Sequence, residues 1–321
     1  MLLRCLAILD STSNICIVHF PLITTPRSQF SASRGQFRCS SAANSNAMDS
    51  GKVKFMEFPY ASAPTKKLMV ELFSSVEEQL GSSLHPSCTL APDVQYFGNP
   101  TDTAHASLHI RSGLPSSQID FVLGSWIHCQ LPSGGALNIT SLSAYLTPST
   151  DAPHFLLELI QSSPTSLVLI LDLTPRKDLI LYPDYLNRYY EDTQLDRHRQ
   201  RLQMLPEVRP YISPSLYIRA VVSPTAIVVT IDTGATESKT IEQIIEDDVS
   251  PIAKDLLRFW IESCACCGRD VDASERAYLA QRDRIIKKTT IDVDLSSSFP
   301  RLFGQEIADR AVNALKEYYF K

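Results

Sequence analysis

Apolar residues recur at strand-like spacing in five consecutive stretches in the middle of the chain. Turn residues, mainly Gly, Pro, Ser and Thr, separate these stretches. Because the connections are too short for a helical crossover, the pattern predicts antiparallel neighbouring strands. The predicted strands cover about 105–111, 118–130, 136–146, 154–161 and 166–173.

Segments with helical periodicity come before and after these strands in the chain. The segment from Leu167 to Leu171 is apolar on both faces, which is typical of a central strand covered on both sides. The predicted fold class is therefore α+β, an α/β/α sandwich in which helices cover both faces of a central, mainly antiparallel sheet. The other predicted elements are helices at 62–82, 183–204, 238–265, 272–287 and 304–320, and strands at 215–222 and 226–232.

An acidic residue interrupts the fourth predicted strand. Glu158 lies between apolar neighbours and shares its face of the strand with Leu156 and Ile160. A carboxylate in a dry environment costs free energy unless it is paired, hydrogen-bonded or protonated. Two interpretations fit: an ion pair with an Arg or Lys of a neighbouring strand, or a carboxyl group that ligand binding or chemistry requires.

The beginning of the chain has a different composition. Residues 1–45 contain four arginines, one aspartate and many serines, which is typical of an organelle transit peptide. A secretory signal and a plain disordered tail are the alternatives. We expect residues 1–45 to be a disordered transit peptide and residues 50–321 to form a single domain.

The charge balance narrows the range of partners. The whole chain has a formal net charge of −5, and without residues 1–45 it is about −8. An acidic chain with no block of Lys and Arg is a poor candidate for nucleic-acid binding, so no such partner is expected. No apolar run approaches the roughly 18 residues that a membrane-spanning helix needs.

Short motifs for familiar cofactors and nucleophiles are missing. The sequence contains no G-x-G-x-x-G, P-loop or G-x-S-x-G. Asp232-Thr-Gly234 resembles the loop of aspartic proteases, but it occurs once and a predicted helix follows, so a strand-to-helix turn is favoured. Cys264-Ala-Cys-Cys267 has no second ligand pair, which favours thiols at a helix end over a zinc site.

Long segments of the sequence resemble one known family, that of red chlorophyll catabolite reductase. The similarity runs through essentially all of the chain beyond residue 50. The segments that carry it are Val53-Lys-Phe-Met-Glu-Phe-Pro-Tyr60, Ser107-Leu-His-Ile-Arg-Ser-Gly113, Ile119-Asp-Phe-Val-Leu-Gly-Ser-Trp-Ile-His128, Glu158-Leu-Ile-Gln-Ser-Ser163, Tyr211-Ile-Ser-Pro-Ser-Leu216 and Phe299-Pro-Arg-Leu-Phe-Gly304.

The resemblance implies a fold and an activity. The family belongs with the ferredoxin-dependent bilin reductases and shares their α/β/α sandwich. It reduces one methine double bond of red chlorophyll catabolite to give the primary fluorescent catabolite, during chlorophyll breakdown in senescing chloroplasts. No bound flavin, nicotinamide or metal is expected, because reduced ferredoxin supplies the electrons. A non-catalytic protein that binds or scavenges tetrapyrroles is the alternative.

The resemblance also implies partners and a location. The expected partners are the red catabolite, which is an open-chain tetrapyrrole, ferredoxin, and pheophorbide a oxygenase, which makes the substrate. A homodimer is left open. The expected location is the chloroplast stroma, with the mitochondrion as a second address that the sequence leaves open.

Candidate site residues follow from the same resemblance. Glu158 and Asp294 match acids of the family's substrate site and are expected to be catalytic. Val222 matches a pocket position associated with the face of the substrate that is protonated. Without the resemblance, Asp294 would be interpreted as a solvated loop acid and Tyr211 as a packing aromatic. The expected substrate-binding residues are Glu158, Tyr211, Ile212, Ser213, Val222 and Asp294.

Ferredoxin docking requires a local basic patch, because plant-type ferredoxins are strongly acidic and this chain is acidic too. We expect the patch at the end of the predicted 272–287 helix, close to Asp294 in sequence. A second candidate lies in the predicted 183–204 helix. The basic residues are Arg282, Arg284, Lys287 and Lys288 in the first segment, and Arg197, Arg199 and Arg201 in the second.

Overall fold

The computed structural model describes residues 52, 54–86, 88, 90–132, 134–234, 239–267, 269 and 271–320, apart from the side chains of residues 293 and 294. The predicted transit segment lies outside the described residues. An eight-stranded sheet forms the centre, in the order β1-β2-β3-β4-β5-β6-β8-β7, with antiparallel neighbours throughout. The strands are β1 Tyr96–Gly98, β2 Ala104–Ser112, β3 Ile119–Gln130, β4 Ala136–Leu146, β5 His154–Ser163, β6 Ser166–Thr174, β7 Val208–Pro210 and β8 Ile227–Asp232.

Helices come before, between and after the strands. They are α1 Ala63–Leu80, α2 Pro92–Gln95, α3 Pro183–Leu186, α4 Leu195–Gln203, α5 Leu216–Val221, α6 Ile241–Ile244, α7 Ser250–Trp260, α8 Ala273–Thr290, α9 Ser296–Phe303 and α10 Gln305–Tyr319. Wider, π-helical turns extend or join several of them. These turns are Asn187–Glu191 after α3, Ile245–Val249 between α6 and α7, Ile261–Ala265 after α7 and Ile291–Leu295 between α8 and α9.

Two apolar layers hold helices on the two faces of the sheet. On one face, Leu157 and Leu169 belong to a buried cluster with side chains of α1, α6 and α7. On the other face, Leu156 and Ile170 belong to a second cluster with side chains of α9 and α10. Burial of both faces drives this arrangement and confirms the predicted sandwich and its antiparallel sheet.

Two predicted elements differ from the structure. The segment predicted as a strand at 215–222 contains helix α5, because Ser215 caps it by accepting a hydrogen bond from the Ile218 amide. Ile218 and Val221 are buried at helical spacing. The single helix predicted at 183–204 is interrupted, and the Thr193 hydroxyl donates to the Tyr190 carbonyl at the break (3.1 Å).

Candidate functional site

A row of polar side chains crosses the sheet face that α9 and α10 cover. Ser125, Ser141 and Glu158 face one another in register on β3, β4 and β5. The two serine hydroxyls hydrogen-bond at 2.7 Å. Only 1% of Glu158 is exposed, and Leu156 and Ile160 flank it in the apolar layer. The strand pattern therefore predicted the burial of this carboxyl group correctly.

The phenol of Tyr145 lies within electrostatic range of Glu158, and two further phenols lie within range of Tyr145. The pKa of Tyr145 is raised well above its ordinary value, first by burial, then by the Tyr319 and Tyr217 hydroxyls and by the Glu158 carboxyl. These phenols come from β4, α10 and α5, so three elements converge around Tyr145. A neutral phenol can donate a hydrogen bond to an oxygen or nitrogen of a ligand. The sequence reasoning missed this cluster because its members are far apart in the chain.

Helix α8 is fixed across the end of the sheet by a buried charge network. Arg176, fully buried, makes two hydrogen bonds to Asp283 through its guanidinium. The His154 Nδ1 accepts from the Leu146 amide (3.1 Å), so Nε2 carries the proton and donates to Asp283 (3.2 Å). Burial lowers the pKa of His154 to about 4, which keeps the ring neutral at pH 7. Burial opposes ionisation of Asp283, but His154 and Arg176 outweigh it and hold its pKa well below the usual range.

The side chain of Lys287 is buried between α8 and the sheet and does not belong to a surface patch. Only 7% of it is exposed, its ammonium pairs with Asp120, and it lies 5.2 Å from the Phe121 ring centroid and 5.6 Å from that of Tyr145. The expectation that Lys287 belongs to an exposed basic patch is therefore wrong. Helical spacing turns it inward with Asp283, whereas Arg284 and Lys288 are exposed.

The expected pocket residues other than Glu158 lie in three segments, directly after β7, at the end of α5 and in the turn between α8 and α9. Tyr211 is half-buried against the apolar layer that contains Leu156, and its amide donates to the Val228 carbonyl (2.9 Å). Ile212 is 74% exposed, whereas Ser213 is buried. Asp294 lies in the turn Ile291–Leu295, whose Ile291 and Leu295 belong to the same layer, but its side chain lies outside the described part.

Val222 stands at the end of α5, where a second buried acid fixes the chain. The Asp172 carboxylate on β6 accepts hydrogen bonds from the Ser223 amide (3.0 Å) and the Ser223 hydroxyl (2.5 Å). Burial raises the pKa of Asp172 to about 6, against the effect of these bonds. The sequence carries the same signal here as at Glu158, an acid among leucines, but it lies near a strand end and was not singled out.

The structure describes only part of the surroundings of the Asp232-Thr-Gly234 and Cys264-Ala-Cys-Cys267 motifs. The Gly234 amide donates to the Asp232 carboxylate (3.0 Å), which forms a turn after β8, while residues 235–238 lie outside the described part. Cys264 is buried and Cys266 and Cys267 are exposed at the end of a helix.

Across the described residues, no group of three or more His, Cys, Asp or Glu could hold a metal ion. None of the helices described is both long and apolar enough to cross a bilayer.

Solved structures define the class of fold. The chain is similar to tomato phytochromobilin synthase in complex with biliverdin, with a TM-score of 0.57 over 77% of this chain and 83% of that chain. Sequence identity is 17%, so this likeness concerns the fold alone. The sheet with helices on both faces is thus a fold that this chain shares with that protein.

Sequence comparison defines the family. A family model described as red chlorophyll catabolite reductase matches residues 64–317. The chloroplastic red chlorophyll catabolite reductase of Arabidopsis thaliana is 55% identical over 269 residues, 83% of each chain. The chloroplastic red chlorophyll catabolite reductase 1 of Oryza sativa subsp. japonica is 45% identical over 77% of this chain and 75% of that relative. The chain therefore belongs to the red chlorophyll catabolite reductase family, whose members are oxidoreductases.

Proposed function

We propose that this chain reduces a methine double bond of red chlorophyll catabolite, with ferredoxin as the electron donor, in the chloroplast. The product is the primary fluorescent catabolite of chlorophyll breakdown. Family membership supports the substrate, and the names of two relatives, both described as chloroplastic, support the location. The observation that carries the chemistry is the buried Glu158 carboxyl near the Tyr145 phenol, on a face covered by helices.

The reaction needs protons as well as electrons. Saturating one carbon–carbon double bond consumes two electrons and two protons, so two reduced ferredoxins must each deliver one electron. An added electron makes the conjugated tetrapyrrole basic, and a proton must then follow. A carboxyl group in an apolar surrounding is suited to hold and donate that proton. Glu158 is the proposed donor and pyrrole-nitrogen anchor, and Asp294 is the proposed second acid.

The remaining pocket residues are proposed to position the substrate. Tyr211, Ile212 and Ser213 would line one side of the tetrapyrrole, and the exposed Ile212 would lose contact with water when a ligand binds. Val222 would select the face that receives the proton. Asp172 would hold Val222 in place through Ser223.

The proposal includes no bound flavin, nicotinamide or metal. Ferredoxin would instead pass electrons directly to the bound tetrapyrrole. Pheophorbide a oxygenase is the proposed source of the substrate, and a homodimer remains part of the hypothesis. The competing function is a tetrapyrrole-binding protein that scavenges the pigment without reducing it.

Anaerobic incubation with red catabolite and chemically reduced ferredoxin tests the proposal. We expect loss of the red absorbance and the appearance of a fluorescent product that is two hydrogens heavier. Omission of ferredoxin should abolish the product. Stoichiometric binding without any turnover would contradict the reductase and support the scavenger.

A further inference from the structure

A cleft of about 460 Å³ is lined in part by Val222, Ser223 and Pro224, which belong to the turn between α5 and β8. The loop after β6, the end of α5 and one face of α8 enclose it. Its charged lining is mainly basic, with Lys177, Arg219 and Arg282 against a single acid, Asp178. This basic lining is notable because the whole chain is acidic, with a formal net charge of −5.

Two of the three cations in this cleft remain available to a ligand. Lys177 is already engaged, because its ammonium pairs with Glu275 and Asp151 and lies 4.0 Å from the Tyr182 ring centroid. Within the described residues, neither Arg219 nor Arg282 has an ion-pair partner.

The guanidinium of Arg282 carries an unused donor. Its Nη2 donates to the Pro175 carbonyl (2.6 Å), which fixes the group against the loop after β6. Its Nε is buried and has no hydrogen-bond partner among the described residues. A buried charged N–H group without a partner costs free energy, and an acceptor from a ligand would remove that cost.

The only acid of the cleft leaves these arginines free. The Asp178 carboxylate accepts from the backbone amides of Ile180 and Leu181, both at 2.9 Å, and so closes its own turn. Two guanidinium groups facing a cleft are well suited to a carboxylate, which they can bind through paired N–H donors.

The cleft also lies at the right place for one end of a tetrapyrrole bound at Glu158. Ser223, next to Val222 in its lining, is bonded to Asp172. Asp172 is a diagonal neighbour of Glu158, because Glu158 pairs with Ile170 across β5 and β6. Diagonal neighbours on adjacent strands are about 7–8 Å apart. Four linked pyrrole rings are longer than this, so a tetrapyrrole bound at Glu158 can extend past Asp172 to the Ser223 side of the cleft.

We propose that Arg219 and Arg282 form a carboxylate-binding subsite that receives an acidic side chain of the open-chain tetrapyrrole. The inference rests on the proposed function for the identity of the ligand. The subsite fixes which end of the tetrapyrrole reaches Val222, and thereby the orientation of the methine bridges toward Glu158.

The test compares binding of the red catabolite with binding of its methyl ester, in which the carboxylate is neutral. Absorbance titration without ferredoxin gives the dissociation constant for wild type, Arg219→Gln, Arg282→Gln and Arg276→Gln. Arg276 is a matched control, since it is exposed on the same helix and does not line the cleft. Circular dichroism verifies that each variant is folded.

The subsite predicts that Arg219→Gln and Arg282→Gln each weaken binding of the free acid about tenfold or more, as expected for a charged hydrogen bond. Binding of the methyl ester should change little, and Arg276→Gln should match wild type with both ligands. Equal weakening of acid and ester, or no weakening of either, would overturn the subsite. Should Arg282→Gln fail to fold, the exposed Arg219 alone decides the question by the same criteria.

The outcomes separate this inference from the proposed function. Binding without turnover by wild type would refute the reductase and leave the subsite tested by the titration. Turnover by wild type, with unchanged acid binding in both arginine variants, would refute the subsite and leave the reductase intact. Failure of wild type to bind either ligand would overturn both.

Discussion

Glu158 and Asp172 are two buried acids on one face of the same sheet, and their surroundings give them different tasks. Asp172 accepts two hydrogen bonds from Ser223 and thereby anchors the turn that carries Val222. Glu158 lies in a row with two serines and within the electrostatic range of Tyr145. The hydrogen bonds of Asp172 thus assign it an anchoring role, whereas proton donation by Glu158 is the role that we propose.

Asp172 should make the stability of the protein depend on pH. Its pKa is raised from 3.8 to about 6 in the folded protein, so folding favours the protonated form. Stability from this group is greatest below pH 4 and falls as pH rises toward 6. Asp172→Asn cannot ionise. The free energy of unfolding of the variant relative to wild type should therefore rise between pH 4 and pH 7, by on the order of 2–3 kcal/mol.

Chemical denaturation at several pH values measures this difference. Asp192→Asn, at an exposed position, controls for the loss of one carboxyl group. The comparison is needed because His154, whose pKa is lowered to about 4, makes stability rise with pH over roughly the same window. A difference between variant and wild type that stays constant with pH would contradict the role of Asp172.

Site residues could be predicted from the sequence only where a local pattern marks them. Glu158 stands out because it is the one acidic residue in a strand that is apolar on both faces. The pairing of Arg176 with Asp283 joins positions 107 residues apart, and no local pattern reports it. The direction of Lys287 also depends on where α8 lies against the sheet.

Helix α8 owes its position to the buried network around Asp283. Arg176→Met should destabilise the protein by about 3–5 kcal/mol, because it leaves the Asp283 carboxylate buried without its main counter-charge. Thermal and chemical denaturation measure the loss. Arg201→Met, at an exposed position on α4, should change stability by no more than about 0.5 kcal/mol.

A double variant distinguishes a stranded charge from simple loss of packing. Arg176→Met with Asp283→Asn removes both charges, so it should be more stable than Arg176→Met alone. If the double variant is the less stable of the two, the cost lies in packing and in the carbonyl groups that Arg176 binds.

Helix α1 approaches the sheet closely because β3 has a glycine where the two meet. A Cβ atom at Gly124 would lie 1.9 Å from Phe73 Cζ and 2.6 Å from Phe55 Cζ. Gly124→Ala should therefore cost about 1–3 kcal/mol through overpacking. At Gly81 nothing lies within 4 Å of such a Cβ and the backbone is helical, so Gly81→Ala should stabilise by about 0.4–1 kcal/mol. Losses of similar size in both variants, compared by thermal denaturation, would argue against a close approach at Gly124.

Elements with a sustained pattern were predictable and short ones were not. Strands β2 to β6 follow from apolar stretches separated by turn residues, and α1 follows from its apolar stripe. Helix α5 has only six residues and was predicted as a strand, because Ser215 capping decides its conformation. Strands β1 and β7 have three residues each and exist through pairing with longer neighbours.

Across the whole molecule, the net charge of −5 works against an acidic electron donor. The exposed basic residues Arg284 and Lys288, one helical turn apart on α8, lie about 100° around the helix axis from the buried Asp283 and Lys287. We expect Arg284→Glu with Lys288→Glu to raise the KM for ferredoxin at low salt. Because salt screens such attraction, the difference from wild type should shrink at high salt.

The paired change Arg197→Glu with Arg201→Glu on α4 provides the comparison for docking. It alters the net charge by the same amount at a different place. Docking on α8 predicts that this variant keeps a ferredoxin dependence closer to wild type. A larger rise in KM in the α4 variant would move the docking surface to α4.

Glu158→Gln in the anaerobic ferredoxin assay tests the central claim most directly. The substitution conserves size and removes only the acidic proton, so the fold should remain and circular dichroism should match wild type. If Glu158 supplies the proton that follows electron transfer, turnover of red catabolite should fall by roughly 10²-fold or more, while substrate binding persists. Wild-type turnover in the Glu158→Gln variant would contradict the account.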